Sequence, residues 1–442
     1  MYLPQIQVMP INRRSIADSM PLADSHFTLD TSGVAGFFGG DEAVSAMATV
    51  HVYEGRKWLG WYNSPGAYDI GKRYGRLANS RFWDGLFPGV NTDPATLFEL
   101  DGLKGPKYRA AQSGTILPDT SHLGALFAKE CAAREAIQVP GRITTPVGVT
   151  IADLSYVPPF ETNPKRLRTK SGLVASIPIT VSIGACVVSG LVEDWFSFTM
   201  ILLGILSSGI SCFVIGSGKF TFNHPRPADG APRGDGVLFT ERETIILQGE
   251  EAAVNVVTRG KFSLRFSSEP EYRNIGWCSM LLTIQFVAQL LLIPQGTLFG
   301  QILFVASLGV SWGYNSYLSS LDKEQIQREI LMKNVLMNPP LKKYMLGTRS
   351  TMAIFVLLIL KPAEPDKMLE EFVPNDTRVW RVWRDVVLQR IRKGVKLDFE
   401  PSDSQIDGLT DEERKLLAIL FADAQAAYTG FISHSQSLTK ER

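Results

Sequence analysis

No two cysteines form a C-x-x-C pair, which already removes two functional classes. Cys131, Cys186, Cys212 and Cys278 lie far apart, so neither a disulfide framework nor a zinc site is expected. An excess of one charge sign is missing too. Lys plus Arg number 45 against 44 Asp plus Glu, so nothing in the balance recruits nucleic acid. The histidines at 26, 51, 122, 224 and 434 show no H-x-x-x-H or H-E-x-x-H spacing. Walker A, G-x-G-x-x-G and G-x-S-x-G motifs are absent, as are internal repeats. The first twenty residues lack the apolar core of about 7–15 residues that a signal peptide needs, and Tyr2 excludes N-myristoylation. No metal, cofactor or catalytic residue is expected.

The chain has long runs without charge instead. Mean hydropathy is near zero, but the apolar residues are concentrated. Residues 171–192, 195–218 and 274–321 contain no Asp, Glu, Lys, Arg or His. A bilayer core of about 30 Å takes roughly 20 apolar residues in helix. Pro294-Gln295-Gly296 splits the longest run, giving spans at 275–293 and 298–318. The expected fold is therefore membrane α-helical, with four transmembrane helices in two hairpins and a cytoplasmic α+β body. The expected divisions are 1–170 (N-terminal cytoplasmic), 171–218 (first hairpin), 219–274 (connection with short strands), 275–318 (second hairpin) and 319–442 (C-terminal, mainly helical).

Basic residues give the orientation. Lys165, Arg166, Arg168, Lys170, Lys219, Arg226, Lys261, Arg265, Arg273, Lys323, Arg328 and Lys333 all flank one side of the spans. The two short connections hold none. Both termini are expected in the cytoplasm. Glu193 and Asp194 then form a hydrated turn on the far side, with Trp195 at headgroup level. Trp277, Trp312, Tyr314 and Tyr317 form the opposite aromatic belt.

Within the spans the polar residues are uncharged, which lowers the prior for proton-coupled transport. Gln285, Gln289, Gln301, Ser307, Ser311 and Asn315 have two readings: amide and hydroxyl packing between helices, or the lining of an aqueous path in a homo-oligomer. A passive, channel-like assembly is the first functional expectation. A non-transporting membrane scaffold is the second.

Elsewhere, alternation over 49–62 suggests a β-hairpin. Residues 121–137 read as a helix, and 237–239, 244–247 and 262–266 as short strands. The stretch 318–337 reads as an extension of the fourth span. MAIFVLLIL, within 343–360, is too short for a span and fits a buried element. Residues 376–393 form a basic amphipathic helix, with Arg378, Trp380, Arg381, Trp383, Arg384 and Arg390 suited to anionic lipid at the membrane surface or to a docked, solvated position. Thr410 to Glu413 is a capping box that opens a last helix ending near Gly430. Gly39-Gly40-Asp41-Glu42 has the opening letters of a cyclase signature but too little chain before it. His224, Arg226, Asp229 and Asp235 are the one gathering of titratable groups beside the spans. They keep a membrane-bound enzyme open as a third reading, with a structural turn as the alternative.

Overall fold

The computed structural model describes residues 22, 38–88, 93–167, 171–406 and 408–441. His26, Arg168 and Lys170 lie outside them. The chain forms two compact units, one of residues 1–100, 166–220 and 264–323, the other of 101–165, 221–263 and 324–442.

The first unit is helical. Its principal helices are α1 (Gly40–Ala48), α2 (Ala67–Gly75), α3 (Ser171–Leu191), α4 (Trp195–Ile215), α5 (Arg273–Leu292) and α6 (Leu298–Ser319). Helices α3 and α4, and α5 and α6, are joined by turns too short for anything but antiparallel packing. The burial pattern is inverted relative to a soluble bundle. Leu173, Ile177, Val187 and Leu191 on α3, and Ile284, Val287 and Leu291 on α5, are exposed. Ser182, Gln285, Gln289, Ser307, Ser311 and Asn315 are buried. Exposed apolar surface of this breadth marks a face that contacts membrane or another protein.

Four helical stretches among the described residues are long and apolar enough to cross a membrane: Gly172–Leu191, Trp195–Ile215, Arg273–Gln295 and Asp411–Ser437. Three were expected. Helix α6, expected as the fourth span, has a lower apolar content because it carries Gln301, Ser307, Ser311 and Asn315 inward, and the fourth stretch is Asp411–Ser437. Helix α6 still packs on α3 and α4 as a full member of the bundle. Asp411–Ser437 belongs to the second unit, where Leu417, Leu420, Phe421, Ala424 and Ala427 enter that unit's core.

Three further expectations change in this unit. Residues 49–51 and 56–58 are 3₁₀ turns rather than a hairpin. Helix α6 does not extend to residue 337: it stops at Ser319, and a separate helix, Lys323–Ile330, follows. Ser320, whose hydroxyl donates to Tyr317 O at 2.8 Å, diverts the backbone there. The carboxylates at the first turn part company. Glu193 is exposed in a left-handed conformation (φ 62°), but Asp194 is only 3 % exposed and caps α4 by accepting from Ser197 N at 3.0 Å. Of the aromatic belt, Trp195, Trp277, Trp312 and Tyr317 are exposed, whereas Tyr314 is buried.

The second unit is built on a mixed sheet. Its strands are β1 (Lys107–Ala110), β2 (Ile116–Leu117), β3 (Ala136–Gln138), β4 (Val147–Leu154), β7 (Gly236–Phe239), β8 (Glu243–Gly249) and β10 (Leu341–Leu346), in the order β2-β1-β7-β8-β4-β10-β3. β4 runs parallel to β8, and β3 to β10; the other pairs are antiparallel. A three-stranded sheet has β6 (Lys219–Asn223) between β5 (Glu161–Thr162) and β9 (Lys261–Arg265). The MAIFVLLIL segment is the helix Arg349–Leu360, buried nearly throughout, so its lack of polar residues reflects its place in this unit's core. Residues 121–137 divide into the helix His122–Ala132 and β3. The capping box holds, with Thr410 N donating to Glu413 Oε2 at 2.8 Å. The last helix nevertheless runs on to Glu441. Gly430 lies inside it because a Cβ there would stand 2.9 Å from Val139 Cγ1.

Candidate functional site in the helical unit

Residues 60–75 enter the bundle and leave it at the same end. The inward leg is extended and follows α4. A Cβ on Gly209 would overlap the Trp61 ring, and one on Gly204 would overlap Asn63 Oδ1. From Cys212, which faces Gly60, to Gly204 is about 12 Å of helix. The outward leg is α2, which runs back along α5: Tyr68 meets Phe286 with ring centroids 5.1 Å apart, and Gly71 sits against Ser279 and Leu282. Irregular backbone at such depth is tolerated only where protein buries it or where it lines a wet cavity.

Asn63 is the centre of the arrangement and is fully buried. Its backbone N donates to Ser182 Oγ on α3 at 3.0 Å. Its amide Nδ2 donates to Ser307 Oγ on α6 at 2.9 Å. Its Oδ1 accepts from Gln289 Nε2 on α5 at 3.3 Å. Gln289 also donates to Met200 O on α4 at 3.1 Å and accepts from Gln285 Nε2 at 3.3 Å. One residue thus touches all four long helices or their partners. Beside it, Tyr62 OH donates to Asn315 Oδ1 at 2.8 Å, and Asn315 Nδ2 donates to Ser64 Oγ at 3.2 Å. A buried hydrogen bond of this kind is worth about 1 kcal/mol net, and an unmade one costs about 1–3 kcal/mol.

All six predicted span residues are buried, and four of them join this network. Gln301 instead donates to Gly296 O at 3.1 Å, closing the second turn. Among the described residues Ser311 Oγ has no partner, nor do Gln285 Oε1, Ser207 Oγ and Tyr314 OH. Unsatisfied buried polar atoms in a native structure need a cause such as water or solute.

Helix α2 begins inside the bundle at the buried Gly66, and α1 begins beside it nearer the surface, where Phe38 and Asp41 are exposed. Each starts after a left-handed glycine, Gly39 at φ 68° and Gly66 at φ 73°, and a Cβ on Gly66 would approach Gly40 Cα to 2.6 Å. Two positive helix ends therefore converge. The Asp69 carboxylate, which a Cβ on Gly40 would overlap, lies at the start of α1 and offsets part of that charge.

The sequence did not reveal Asn63, Tyr62, Ser64 or Arg56. The available signal was Gly60-Trp-Tyr-Asn-Ser-Pro-Gly66, dense in glycine and aromatics, with Gly204 and Gly209 spaced to receive it.

The other predicted groups fall in the second unit. His224 is buried between Phe160 and Phe222, its Nε2 3.2 Å from Pro158 O. Asp235 accepts from Gly249 N at 2.7 Å and pairs with Arg233. Arg226 and Asp229 line a cavity of about 500 Å³, with Arg226 Cζ 4.7 Å from the Phe160 ring. Neither His224 nor Asp235 lines that cavity, so the four form no acid–base constellation. No group of His, Cys, Asp and Glu among the described residues could hold a metal ion. In the helix Arg378–Arg392, Trp383 is buried and donates from Nε1 to Leu420 O at 3.0 Å. Arg381 pairs with Asp376, Arg384 with Glu370 and Arg390 with Asp403, while Arg378 donates to Gly408 O. Trp380 is half-buried, edge-on to Trp383. The apolar stripe of this helix is used by the core of its own unit.

No family model matches the chain, and neither curated proteins nor solved structures include a match.

Proposed function

We propose that the helical unit is a membrane-embedded passive conduit for a small uncharged polar solute, closed in this conformation by residues 60–66. The observation that carries this reading is the file of buried, uncharged polar groups running through Gln285, Gln289, Asn63, Ser307, Asn315 and Tyr62, met by a re-entrant segment. A bundle serving only as an anchor can use such groups as packing between helices, but here they meet through the re-entrant Asn63 rather than directly from helix to helix. The unpartnered atoms of Gln285, Ser207 and Ser311 are sites where a solute or water would complete the hydrogen bonding. The lack of charge in the file favours a neutral solute. Lys57, with its ammonium over the Trp58 and Phe213 rings, fits a cytoplasmic end where the basic residues gather.

Vesicles reconstituted with the full chain provide the test, with glycerol and urea as probes and osmotic swelling as the readout. Wild-type vesicles swell faster than protein-free ones, and N63L combined with Q289L removes the difference while helix content is retained. Wild-type vesicles that swell no faster than protein-free ones rule the conduit out.

A second reading, a non-transporting membrane scaffold presenting the sheet-containing unit to partners, is favoured by one observation. Asn63, Tyr62 and Ser64 already bond to several of the polar groups that would line a path. Normal assembly with partner capture and no solute flux is its signature.

A further inference from the structure

Arg56 is 3 % exposed and lies in the 3₁₀ turn Arg56–Trp58, just before the inward leg. Its Nη1 is 3.8 Å from Cys212 Sγ on α4, and its Cζ stands 5.4 Å from the ring centroid of Tyr314 on α6. Nε has no hydrogen-bond partner. Among the described residues the ionisable groups around it are Tyr62, Cys212 and Tyr314, with no carboxylate among them. Tyr62 and Tyr314 meet edge to face, centroids 5.6 Å apart. The second unit treats its buried cations differently: Arg109 pairs with Glu371 and Lys343 with Glu243.

An uncompensated buried guanidinium is expensive, and a neutral residue of similar length would pack at lower cost. Packing alone therefore does not explain it. Its position does. Tyr62, which it faces, bonds to Asn315, so Arg56 stands at one end of the polar file.

We infer that Arg56 is the specificity-determining residue of the conduit, a fixed positive charge that turns back metal cations and hydronium while neutral solutes pass. Pores that conduct neutral molecules use an arginine or helix-dipole barrier of this kind. The inference rests on the conduit reading.

The test uses the full chain in vesicles, comparing wild type, R56K and R56Q. Glycerol entry is followed by swelling, and potassium and proton entry by fluorescent indicators under an imposed potential. In wild type and R56K, glycerol enters and cations do not. In R56Q the ratio of cation to glycerol flux rises at least about tenfold. Glycerol entry in R56Q with cations still excluded overturns the inference and leaves the conduit standing. Absence of glycerol entry in wild type defeats the conduit itself. If R56Q does not fold, the residual ion leak of wild type decides: a preference for chloride over potassium supports the charge barrier, and the reverse preference sinks it.

Discussion

Asp194 joins the two hairpin turns of the helical unit to each other by accepting from both the backbone N and the hydroxyl of Thr297, at 2.8 and 2.6 Å. Thr297 in turn caps α6 through Gly300 N at 3.1 Å. One carboxylate thus serves the starts of α4 and α6, and a Cβ on Gly300 would overlap it. A charge with so little exposure is tolerated because every contact is a donor. D194A leaves Ser197 N and Thr297 N without their acceptor and is expected to cost about 2–4 kcal/mol. D194N keeps the shape and an acceptor oxygen and falls between. Thermal unfolding in detergent should rank wild type above D194N above D194A, and equal midpoints would show that the turns are not stapled here.

Gly204 gives the corresponding test for the re-entrant segment. G204A places a methyl where Asn63 Oδ1 now lies, so the segment must withdraw or α4 must shift. Forced overpacking costs about 1–3 kcal/mol. A cysteine introduced at Ser64, which is buried in the native bundle, should react with a polar maleimide faster in the G204A background than in wild type. Unchanged labelling would mean that residues 60–66 are not held against α4.

His51 makes the helical unit acid-sensitive. It is fully buried, edge-on to Phe98 with centroids 4.4 Å apart and to Phe266 at 5.9 Å. Burial first, and then the positive field of Arg166, bring its pKa down to about 3 from an ordinary 6.5. The unfolded chain takes up a proton below about pH 6.5 that the folded chain refuses, so this contribution to stability is complete above that pH and is lost progressively toward pH 3. The slope from one such group is at most about 1.4 kcal/mol per pH unit. H51F keeps an aromatic ring in the site, and its stability should fall less between pH 6.5 and 4 than that of wild type. Parallel curves would assign the acid sensitivity to other groups.

The long apolar helices were legible because runs as long as 171–192 and 195–218 without a charge have few causes other than a helix apolar enough to cross a membrane. The inserted segment was not legible. Asp69, Lys72 and Arg73 interrupt any hydropathy average over 60–75, and the compensations lie far away in sequence, at Gly204, Gly209 and Gln289. Freedom from charge and mean hydropathy rank α6 and Asp411–Ser437 differently. The charge-free run 298–318 reads as a span, although the polar groups it hides inside the bundle lower its mean hydropathy. The last helix reads as an ordinary capped helix, although the apolar stripe it turns to a sheet-backed core raises its mean hydropathy to that of a span. The difference lies in what each helix packs against, which hydropathy does not encode. The same ambiguity affects residues 376–393, where one stripe of Trp and Val suits lipid or core equally.

That last ambiguity has a direct test, because the two uses of the helix Arg378–Arg392 assign energy to different residues. Trp383 and Val387 are buried in the second unit, and the Trp383 indole caps no solvent-facing edge but donates to Leu420 O. W383A should therefore cost about 3–5 kcal/mol in unfolding free energy. Arg381, paired with an exposed Asp376, contributes little, and R381Q should shift stability by no more than about 0.5 kcal/mol. A helix that lies on anionic lipid predicts the opposite ranking in a different assay: in full-length protein, the thermal stabilisation gained on adding phosphatidylserine to the detergent would shrink in R381Q combined with R378Q. Chemical denaturation of full-length W383A and R381Q is the deciding measurement. A large loss for the tryptophan and almost none for the arginine fits a core helix, while comparable small losses for both would return the stripe to the membrane surface.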